Sequence, residues 1–416
     1  MNSELIALGS RAKKAAASLA VVSTAQKNRA LLSIADLLEQ KSGQILENNR
    51  IDIENAGANG IAEVMIDRLR LTEERIAAIA DSVRKVVDLD DPVGVVDNGK
   101  TMPNGLSILC KRVPLGVVGM IYESRPNVTV DAAVLCLKAS NAVILRGGKE
   151  AFRTNAVLVE LMREAVEREG LDCNVINLLT DLSREASTQM MKMNGYLDVL
   201  IPRGGAGLIQ AVVQNATVPV IETGTGNCHV YVDASADLEM AVRIVDNAKT
   251  SRPSVCNACE SLVVHKAVAE KFLPMMAKAF EAPHVEMYGC GETRRILGDG
   301  ILPATEKEYA EEFLDYKISV RVVENFNQAV EHINRYTTHH SDCIVTNDFQ
   351  NAQEFTARID SAAVYVNAST RYTDGGEFGL GAEIGISTQK LHARGPMGLR
   401  DLTTVKYIVT GNGQIR

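Results

Sequence analysis

The sequence has 416 residues, of which 46% are hydrophobic and 23% are charged, so it is long enough to form two or three domains with substantial cores. Its net charge is −8 and it has no block rich in lysine and arginine, which makes nucleic acid and anionic membranes poor partners. No apolar run approaches the roughly 20 residues that a membrane-spanning helix needs.

The first hundred residues carry helical signals. Ser23-Thr-Ala-Gln26 has the pattern of a capping box and precedes an apolar face at helical spacing, formed by Leu31, Leu32, Ile34, Ala35 and Leu38. Thr72-Glu-Glu-Arg75 begins a second predicted helix, whose apolar residues are Ile76, Ile79, Ala80 and Val83. Residues 104–112 alternate instead, with Leu106, Ile108 and Cys110 on one side, which predicts a half-buried strand.

Short apolar runs and helical patterns alternate over the next hundred residues. The predicted strands are Gly116–Tyr122, Ala142–Leu145, Val175–Leu178 and Leu197–Ile201. The predicted helices between them are Val128–Leu137, Thr154–Glu169 and Arg184–Met193. This alternation predicts helices packed around a parallel sheet.

A second α/β run begins near Cys228. Its predicted helices lie near Leu238–Lys249, Val268–Phe280, Gln328–Tyr336 and Asn351–Ile359. Its predicted strands are Ser261–Val264, Ser319–Val323, Cys343–Thr346 and Ala363–Asn367. A glycine-rich stretch follows from Asp374 to Gly385, and a last strand is predicted over Leu402–Thr410. The fold class is therefore α/β, with two parallel-sheet lobes and two isolated strands.

One cysteine stands out among eight. Their spacing shows no disulfide framework and the N-terminus shows no signal peptide, so we expect reduced thiols in the cytoplasm. A free cysteine is most often a packing residue. Cys256, however, lies in the polar loop Ser251-Arg-Pro-Ser-Val-Cys-Asn-Ala-Cys-Glu-Ser261, and Glu222 precedes it by 34 positions. A thiol and a carboxylate in this arrangement suggest covalent catalysis on an acyl group.

Cys256 and Cys259 also form a C-x-x-C pair, which is compatible with a thioredoxin-like dithiol or half of a zinc site. No second C-x-x-C and no H-x₃-H complete a zinc site, and the neighbouring His339 and His340 are expected to point apart on an extended loop. We therefore expect no metal, and we interpret Cys259 as a packing residue.

Two strand ends carry residues suited to a phosphate-bearing ligand. Ile201-Pro-Arg-Gly-Gly-Ala-Gly-Leu208 supplies Arg203, Gly204, Gly205 and Gly207, whose backbone N–H groups can approach a pyrophosphate at the start of a helix. A tight strand-to-helix turn is the alternative, and the G-x-G-x-x-G fingerprint is absent from the chain. Val143-Ile-Leu-Arg-Gly-Gly-Lys-Glu150 supplies Arg146, Gly147 and Lys149, which are also compatible with a solvated pair of cations.

The loop around Cys256, the segment Ile221–Val232 and the string Val364-Tyr-Val-Asn-Ala-Ser-Thr-Arg371 resemble the aldehyde dehydrogenase superfamily. The resemblance covers essentially the whole chain. It implies a dinucleotide-binding domain, a catalytic domain and a small β module for oligomerisation. The corresponding ranges are 1–103 and 114–225, rejoined by about 380–400, for the first, 226–370 for the second, and 104–113 with 401–416 for the third.

The same resemblance implies roles for several residues. Cys256 becomes the nucleophile, and the turn at 201–208 binds the dinucleotide, which this family does without the fingerprint. The family places a basic residue near the adenosine ribose, and the two cations Arg146 and Lys149 suit a 2′-phosphate, so we expect NADPH/NADP. The turn after the first parallel strand supplies an oxyanion donor, for which Arg125 and Asn127 are both candidates beside the Cys256 N–H. Arg125 is equally compatible with a helix cap or an ion pair.

Two strings are more specific within the superfamily, Ser369-Thr-Arg-Tyr-Thr-Asp-Gly-Gly376 and Leu391-His-Ala-Arg-Gly-Pro396. They resemble a branch that reduces L-glutamyl 5-phosphate with NADPH, through a cysteine thioester, to glutamate 5-semialdehyde in proline biosynthesis. For such a substrate Arg371 suits the α-carboxylate, Asp374 suits the ammonium, and Asn367 is a third candidate contact.

Two alternatives remain open at this stage. An ordinary oxidative aldehyde dehydrogenase would use Glu222 to activate the hydrolytic water and would not need phosphate. A C-x-x-C redox or metal-binding protein would bind no NADP(H). For the favoured function we expect a small-molecule acyl phosphate substrate, a homo-oligomer (dimer or tetramer) and transient contact with the glutamate kinase that makes the substrate, without nucleic acid or membrane.

Overall fold

The computed structural model describes residues 3–61, 63–123 and 125–416. The chain divides into two compact units, each with its own hydrophobic core. Unit 1 comprises Met1–Thr223, Gly379–Gly385 and Met397–Arg416, and unit 2 comprises Gly224–Phe378 and Ile386–Pro396. The chain therefore leaves unit 1 twice, after residues 223 and 385, and returns to it twice, at residues 379 and 397.

Some helices of unit 1 begin at residues whose side chains cap them. The helices of this unit are α1 (Ser3–Leu19), α2 (Thr24–Gln40), α3 (Ser42–Ala58), α4 (Glu63–Leu69), α5 (Glu73–Asp88), α6 (Pro126–Lys138), α7 (Phe152–Arg168), α8 (Arg184–Met190) and α9 (Ala206–Asn215). Ser23 accepts the Gln26 N–H at the start of α2, and Thr72 accepts the Arg75 N–H at the start of α5. Leu32 is 42% exposed, unlike the other predicted core residues of α2, because it lies one position, about 100°, around the helix from Leu31.

Unit 1 contains a four-stranded parallel sheet. Its strands are β3 (Val117–Tyr122), β4 (Ala142–Arg146), β5 (Ile176–Leu178) and β6 (Val199–Arg203), in the order β5-β4-β3-β6. The chain moves outward from β3 to β5 and then returns to pair β6 with the other side of β3. This reversal makes the carboxyl ends of β3 and β6 a topological switch point, where open α/β sheets bind ligands.

A three-stranded antiparallel sheet lies apart from the parallel one. It consists of β1 (Val96–Thr101), β2 (Ser107–Pro114) and β16 (Thr403–Thr410), with β2 in the middle. The predicted strand at 104–112 begins later than expected, because Gly105, with a φ of 90°, lies in the turn that joins β1 to β2. β1 was not predicted, since its sequence Val-Asp-Asn-Gly-Lys-Thr lacks apolar alternation.

Unit 2 is built on a seven-stranded parallel sheet, in the order β10-β9-β11-β8-β7-β12-β13. Its strands are β7 (Cys228–Val232), β8 (Cys259–His265), β9 (Glu286–Gly289), β10 (Leu302–Pro303), β11 (Lys317–Val323), β12 (Ser341–Val345) and β13 (Ala363–Val366). Its helices are α10 (Leu238–Thr250), α11 (Lys266–Glu281), α12 (Gly291–Leu297), α13 (Glu306–Ala310), α14 (Phe326–Tyr336) and α15 (Phe349–Arg358). A small antiparallel pair, β14 (Ile386–Ser387) and β15 (Gly395–Pro396), completes the unit.

The predicted α/β class is confirmed, because both large sheets are parallel and helices flank their strands. Within the described residues, no helix combines the length and the apolar character needed to cross a membrane.

Candidate active site

The Cys256 loop lies between α10 and β8, and Gly226, in the segment before β7, packs against it. The Cys256 carbonyl rests against Gly226, where even a Cβ atom would collide with it. The buried Cys228 thiol donates to the same carbonyl at 3.2 Å. The Gly226 N–H in turn donates to Glu312 Oε1 at 2.6 Å. The backbone of the partly exposed Cys256 is therefore held in one position.

A second segment, Ser369–Thr373, clamps the loop from another side. Asn257 Nδ2 donates to the carbonyls of Thr373 at 3.0 Å and Arg371 at 3.3 Å, and the Thr370 hydroxyl donates to the Asn257 carbonyl at 2.7 Å. The Arg371 guanidinium donates to Asn257 Oδ1 and, through Nε, to Ser251 Oγ at 3.1 Å. The structure thus places Arg371 on residues that flank Cys256 on both sides.

The charges around this loop favour an anion at Cys256. Burial is the main cause that lowers the pKa of Arg371, and the nearby Arg252 lowers it further. The charges of Asp374 and the Cys256 thiolate favour the protonated guanidinium and raise the pKa of Arg371. Neighbouring cations are what convert a cysteine thiol into a reactive thiolate.

Other thiols of unit 2 differ from Cys256. Cys259 is fully buried at the start of β8, and burial raises its pKa to about 12. Burial does the same for Cys343. Cys290 is a second candidate reactive thiol that the sequence did not reveal: burial opposes its ionisation, but hydrogen bonds from Thr293 and from the Val322 N–H leave its pKa lowered.

Asn367 and Asp374 differ in whether their side chains are free to meet a ligand: the Asn367 amide is hydrogen-bonded within the protein, and Asp374 is exposed. Asn367 has a left-handed backbone with φ of 58°, and its side-chain amide pairs with both backbone groups of Thr346 at 2.9 Å. Both polar groups of Asn367 are therefore used within the protein. Asp374 is exposed and accepts the N–H groups of Gly376 and Glu377 in a local turn.

In unit 1, the turn after β3 carries Arg125 and Asn127. Arg125 is half-buried and is the N-cap residue of α6, without a side-chain cap bond. Asn127 is exposed on the first turn of α6, and its Nδ2 donates to Asp131 Oδ2 at 3.0 Å. Burial raises the pKa of Asp131 to about 6, which the Asn127 hydrogen bond and the charge of Arg203 partly offset. Asp131 thus orients Asn127, a role that its i,i+4 spacing could have suggested.

The glycine turn after β6 lies at the switch point of the sheet. Gly205 is the N-cap of α9 and has no side chain to cap that helix, but its N–H donates to Glu123 Oε2 at 3.0 Å. A Cβ atom on Gly204 would lie 2.7 Å from Glu123 Cδ, so only glycine allows the carboxylate to lie so close. Arg203 NH2 is 4.0 Å from Glu383 Oε1. Gly207, the second residue of α9, has open space where a Cβ would be.

The two predicted cations after β4 behave differently. The Arg146 guanidinium donates to the carbonyls of Leu182 at 2.9 Å and Gly147 at 3.2 Å, while its buried Nε has no hydrogen-bond partner. Burial lowers the pKa of Arg146. Lys149 is exposed in the turn before α7. Gly147 is required by close packing against Tyr122 and Asn155.

The remaining predicted residue, Glu222, is half-buried at the end of unit 1, next to Thr223, whose hydroxyl donates to the Pro202 carbonyl at 2.8 Å. Among the residues the structure describes, no group of three or more histidine, cysteine, aspartate or glutamate side chains is arranged to hold a metal ion.

The unit 1 residues fit a dinucleotide. A bare glycine backbone and a helix N-terminus lie at the switch point of the parallel sheet, and a cation with a spare buried donor follows the neighbouring strand. Such a glycine cradle and donor set accept a pyrophosphate, and strand-end cations accept a phosphate.

Comparison with known proteins agrees with these features. The profile described as "Aldehyde dehydrogenase family" matches residues 3–289. A gamma-glutamyl phosphate reductase of Clostridium perfringens is 57% identical over 416 residues, covering 100% of both chains, and one of Carboxydothermus hydrogenoformans is 58% identical over 413 residues, covering 99% of both. The crystal structure of gamma-glutamyl phosphate reductase from Thermotoga maritima is 46% identical, covers 100% of both chains and superposes with a TM-score of 0.97.

Proposed function

The chain belongs to the aldehyde dehydrogenase family, and from that premise we propose that it reduces L-glutamyl 5-phosphate to L-glutamate 5-semialdehyde and phosphate, the function of its full-length relatives. The observation that carries the proposal is the combination of 57% identity over the entire chain with a partly exposed thiol whose loop is held by Arg371. The reaction belongs to proline biosynthesis, and we expect it to take place in the cytoplasm.

The chemistry follows from the Cys256 loop. The Cys256 thiolate attacks the acyl carbon, and the bond to phosphate breaks because phosphate is a good leaving group. The resulting thioester is reduced and the thiohemiacetal then collapses, which releases the aldehyde and regenerates the thiol. Family membership implies a nicotinamide cofactor, which supplies the hydride for the reduction when it is bound.

Unit 2 supplies the residues that activate the thiol and bind the substrate. Arg371 acts on the nucleophile loop, where its hydrogen bonds to Ser251 and Asn257 fix the loop and its charge supports the thiolate. The exposed Asp374 is available to the substrate ammonium. We leave Asn367 out of the substrate contacts, because its amide is already paired with Thr346.

Unit 1 carries the residues proposed for the cofactor and the candidate oxyanion donors. We propose that Gly204 and Gly205 hold the pyrophosphate and that Arg146 and Lys149 select NADP(H) through its 2′-phosphate. Asn127, which Asp131 orients, is the preferred side-chain donor to the oxyanion, and Arg125 is the second. Glu222 serves positioning, because this reaction has no hydrolytic step that needs a base.

We also propose that the protein is a homo-oligomer. Val405, Tyr407 and Val409 of the edge strand β16 are 40%, 66% and 55% exposed, and an open apolar strand edge is normally covered by a partner. A transient contact with the glutamate kinase that produces the unstable acyl phosphate would protect that substrate.

Running the reaction in reverse provides the test. Purified protein is mixed with glutamate 5-semialdehyde and NADP⁺, with and without inorganic phosphate, and NADPH formation is followed by absorbance. We expect NADPH to form only with phosphate, because phosphate must cleave the thioester. Turnover without phosphate would instead identify a hydrolytic aldehyde dehydrogenase. Absence of NADP(H) binding would instead favour a C-x-x-C redox or metal-binding protein.

A further inference from the structure

We infer that the Glu123 carboxylate occupies, in the cofactor-free protein, the place of the cofactor's pyrophosphate, so that its displacement sets the affinity for the dinucleotide. The inference rests on the proposed function. It assigns a role to a residue that is neither nucleophile, oxyanion donor nor phosphate-binding cation.

The position of Glu123 is fixed by the sheet. β3 ends at Tyr122 and β6 ends at Arg203, and these strands are hydrogen-bonded neighbours on the two sides of the switch point. The Glu123 N–H donates to the Arg203 carbonyl at 3.1 Å, and the Arg125 N–H donates to the Glu123 carbonyl at 2.7 Å. The backbone of Glu123 is therefore anchored at the crevice where a sheet of this topology binds its ligand.

The side chain of Glu123 makes the contact expected of a bound phosphate. Its Oε2 accepts the Gly205 N–H, the N-cap position of the ten-residue helix α9, at 3.0 Å. Its Cδ lies over the bare backbone of Gly204, where a Cβ would be 2.7 Å away. An anion at this point gains both the N–H donor and the positive end of the helix dipole. A carboxylate and a pyrophosphate cannot use the same donor together.

Charge makes the competition stronger. Arg203, the cation at the end of β6, lies close to Glu383 and interacts with Asp131, so its charge is already shared with other carboxylates. A pyrophosphate that entered while Glu123 stayed in place would meet a like charge. Because the Glu123 side chain is exposed, rotation of the side chain is enough to release the site without movement of the anchored backbone.

Binding measurements test the inference directly. NADP⁺ is titrated by calorimetry into wild type, Glu123→Gln and Glu160→Gln, and 2′-AMP, which lacks the pyrophosphate, is titrated in parallel. Glu160 is exposed on α7, so its variant reproduces the change in net charge elsewhere on unit 1. Because a hydrogen bond to a charged group contributes about 1.5–3 kcal/mol, we expect Glu123→Gln to bind NADP⁺ about tenfold more tightly or better, with 2′-AMP affinity unchanged in every variant.

Thermal unfolding supplies a second readout. Without NADP⁺, Glu123→Gln should unfold at a lower temperature than wild type because the cap of α9 is weakened, and NADP⁺ should raise its unfolding temperature by more than it raises that of wild type. Equal or weaker NADP⁺ binding by Glu123→Gln would overturn the inference, as would an equal gain in Glu160→Gln. If wild type and both variants failed to bind NADP⁺, the proposed cofactor itself would be wrong, and the inference would fall with it.

Discussion

Cys256 and Cys259 lie three residues apart, yet their thiols have different surroundings. Burial raises the pKa of Cys259 to about 12, so its thiol stays protonated at neutral pH. Cys256 is partly exposed, and Arg371, which holds its loop, is the cation whose charge interacts with its thiolate. We predict that Cys256→Ala lowers kcat by several orders of magnitude, whereas Cys259→Ala keeps it within about tenfold of wild type. Phosphate-dependent NADP⁺ reduction measures both variants.

Both cysteine variants should unfold within a few degrees of wild type, which separates a chemical effect from a loss of structure. If Cys259→Ala were the inactive variant and Cys256→Ala the active one, the assignment of the nucleophile would be reversed.

Arg371 gives a second prediction at the residue scale. Its guanidinium holds Asn257 and Ser251 and its charge reaches Cys256. We predict that Arg371→Gln lowers the thiolate fraction of Cys256, so that iodoacetamide modifies this residue about tenfold more slowly at neutral pH, the effect of losing one nearby cation. Mass spectrometry of the Cys256 peptide measures the rate separately from that of Cys290.

Arg335→Gln is the matched control for that experiment, because it removes an equally charged side chain from an exposed ion pair on α14 of the same unit. Arg371→Lys, which keeps the charge but not the forked geometry, should recover part of the alkylation rate. An unchanged rate in Arg371→Gln would mean that this arginine serves only the loop or the substrate.

Single candidate residues could be proposed from the sequence more readily than the residues they contact. Cys256 could be singled out because its loop is polar and several residues beside it carry charged, hydroxyl or amide side chains. Glu123 was not recognised, because its contact with Gly205 spans 82 positions and depends on β6 returning beside β3. Arg371 was proposed as a substrate residue, but its contacts with the nucleophile loop, which span 114 and 120 positions, were not foreseen. Long-range pairing of this kind has no local pattern in the chain.

At the scale of elements, the strands that the sequence missed are short or polar. Leu302–Pro303 and Glu286–Gly289 pair at the edge of the large sheet, where the neighbouring strand supplies the hydrogen bonds and little apolar burial is needed. By contrast, β8 is almost entirely buried, and its apolar run was predicted within two residues of its observed bounds. β7 is also buried; only the start of the second α/β run near Cys228 was predicted, not the strand itself. β6 begins and ends two residues later than predicted, which brings Arg203 to the edge of the switch point.

Residues at the end of β4 and just after it are predicted to determine the choice between NADP(H) and NAD(H). Arg146 offers a buried, unpartnered Nε and Lys149 an exposed ammonium, and a 2′-phosphate carries close to two negative charges. We predict that Arg146→Ala/Lys149→Ala lowers kcat/KM for NADPH about 100-fold or more and lowers it much less for NADH. Steady-state kinetics with both cofactors decides this. Equal losses would mean that the two residues serve the common part of the dinucleotide or the fold.

At the scale of the whole molecule, the sheet β1-β2-β16 shows where chains should meet. β16 pairs with β2 along all eight of its residues, but its other edge is open, and Val405, Tyr407 and Val409 share one exposed face. We predict that truncation after Asp401 converts an oligomer into monomers or aggregates, as light scattering coupled to size exclusion would show.

Because truncation also uncovers β2, the full-length variant Tyr407→Lys/Val409→Lys provides the cleaner test: charges on this face should dissociate the oligomer while the fold persists. Val21→Lys, at a valine that is 87% exposed between α1 and α2, is the control and should leave the mass unchanged. An oligomer of wild-type mass in both β16 variants would show that subunits associate through another surface.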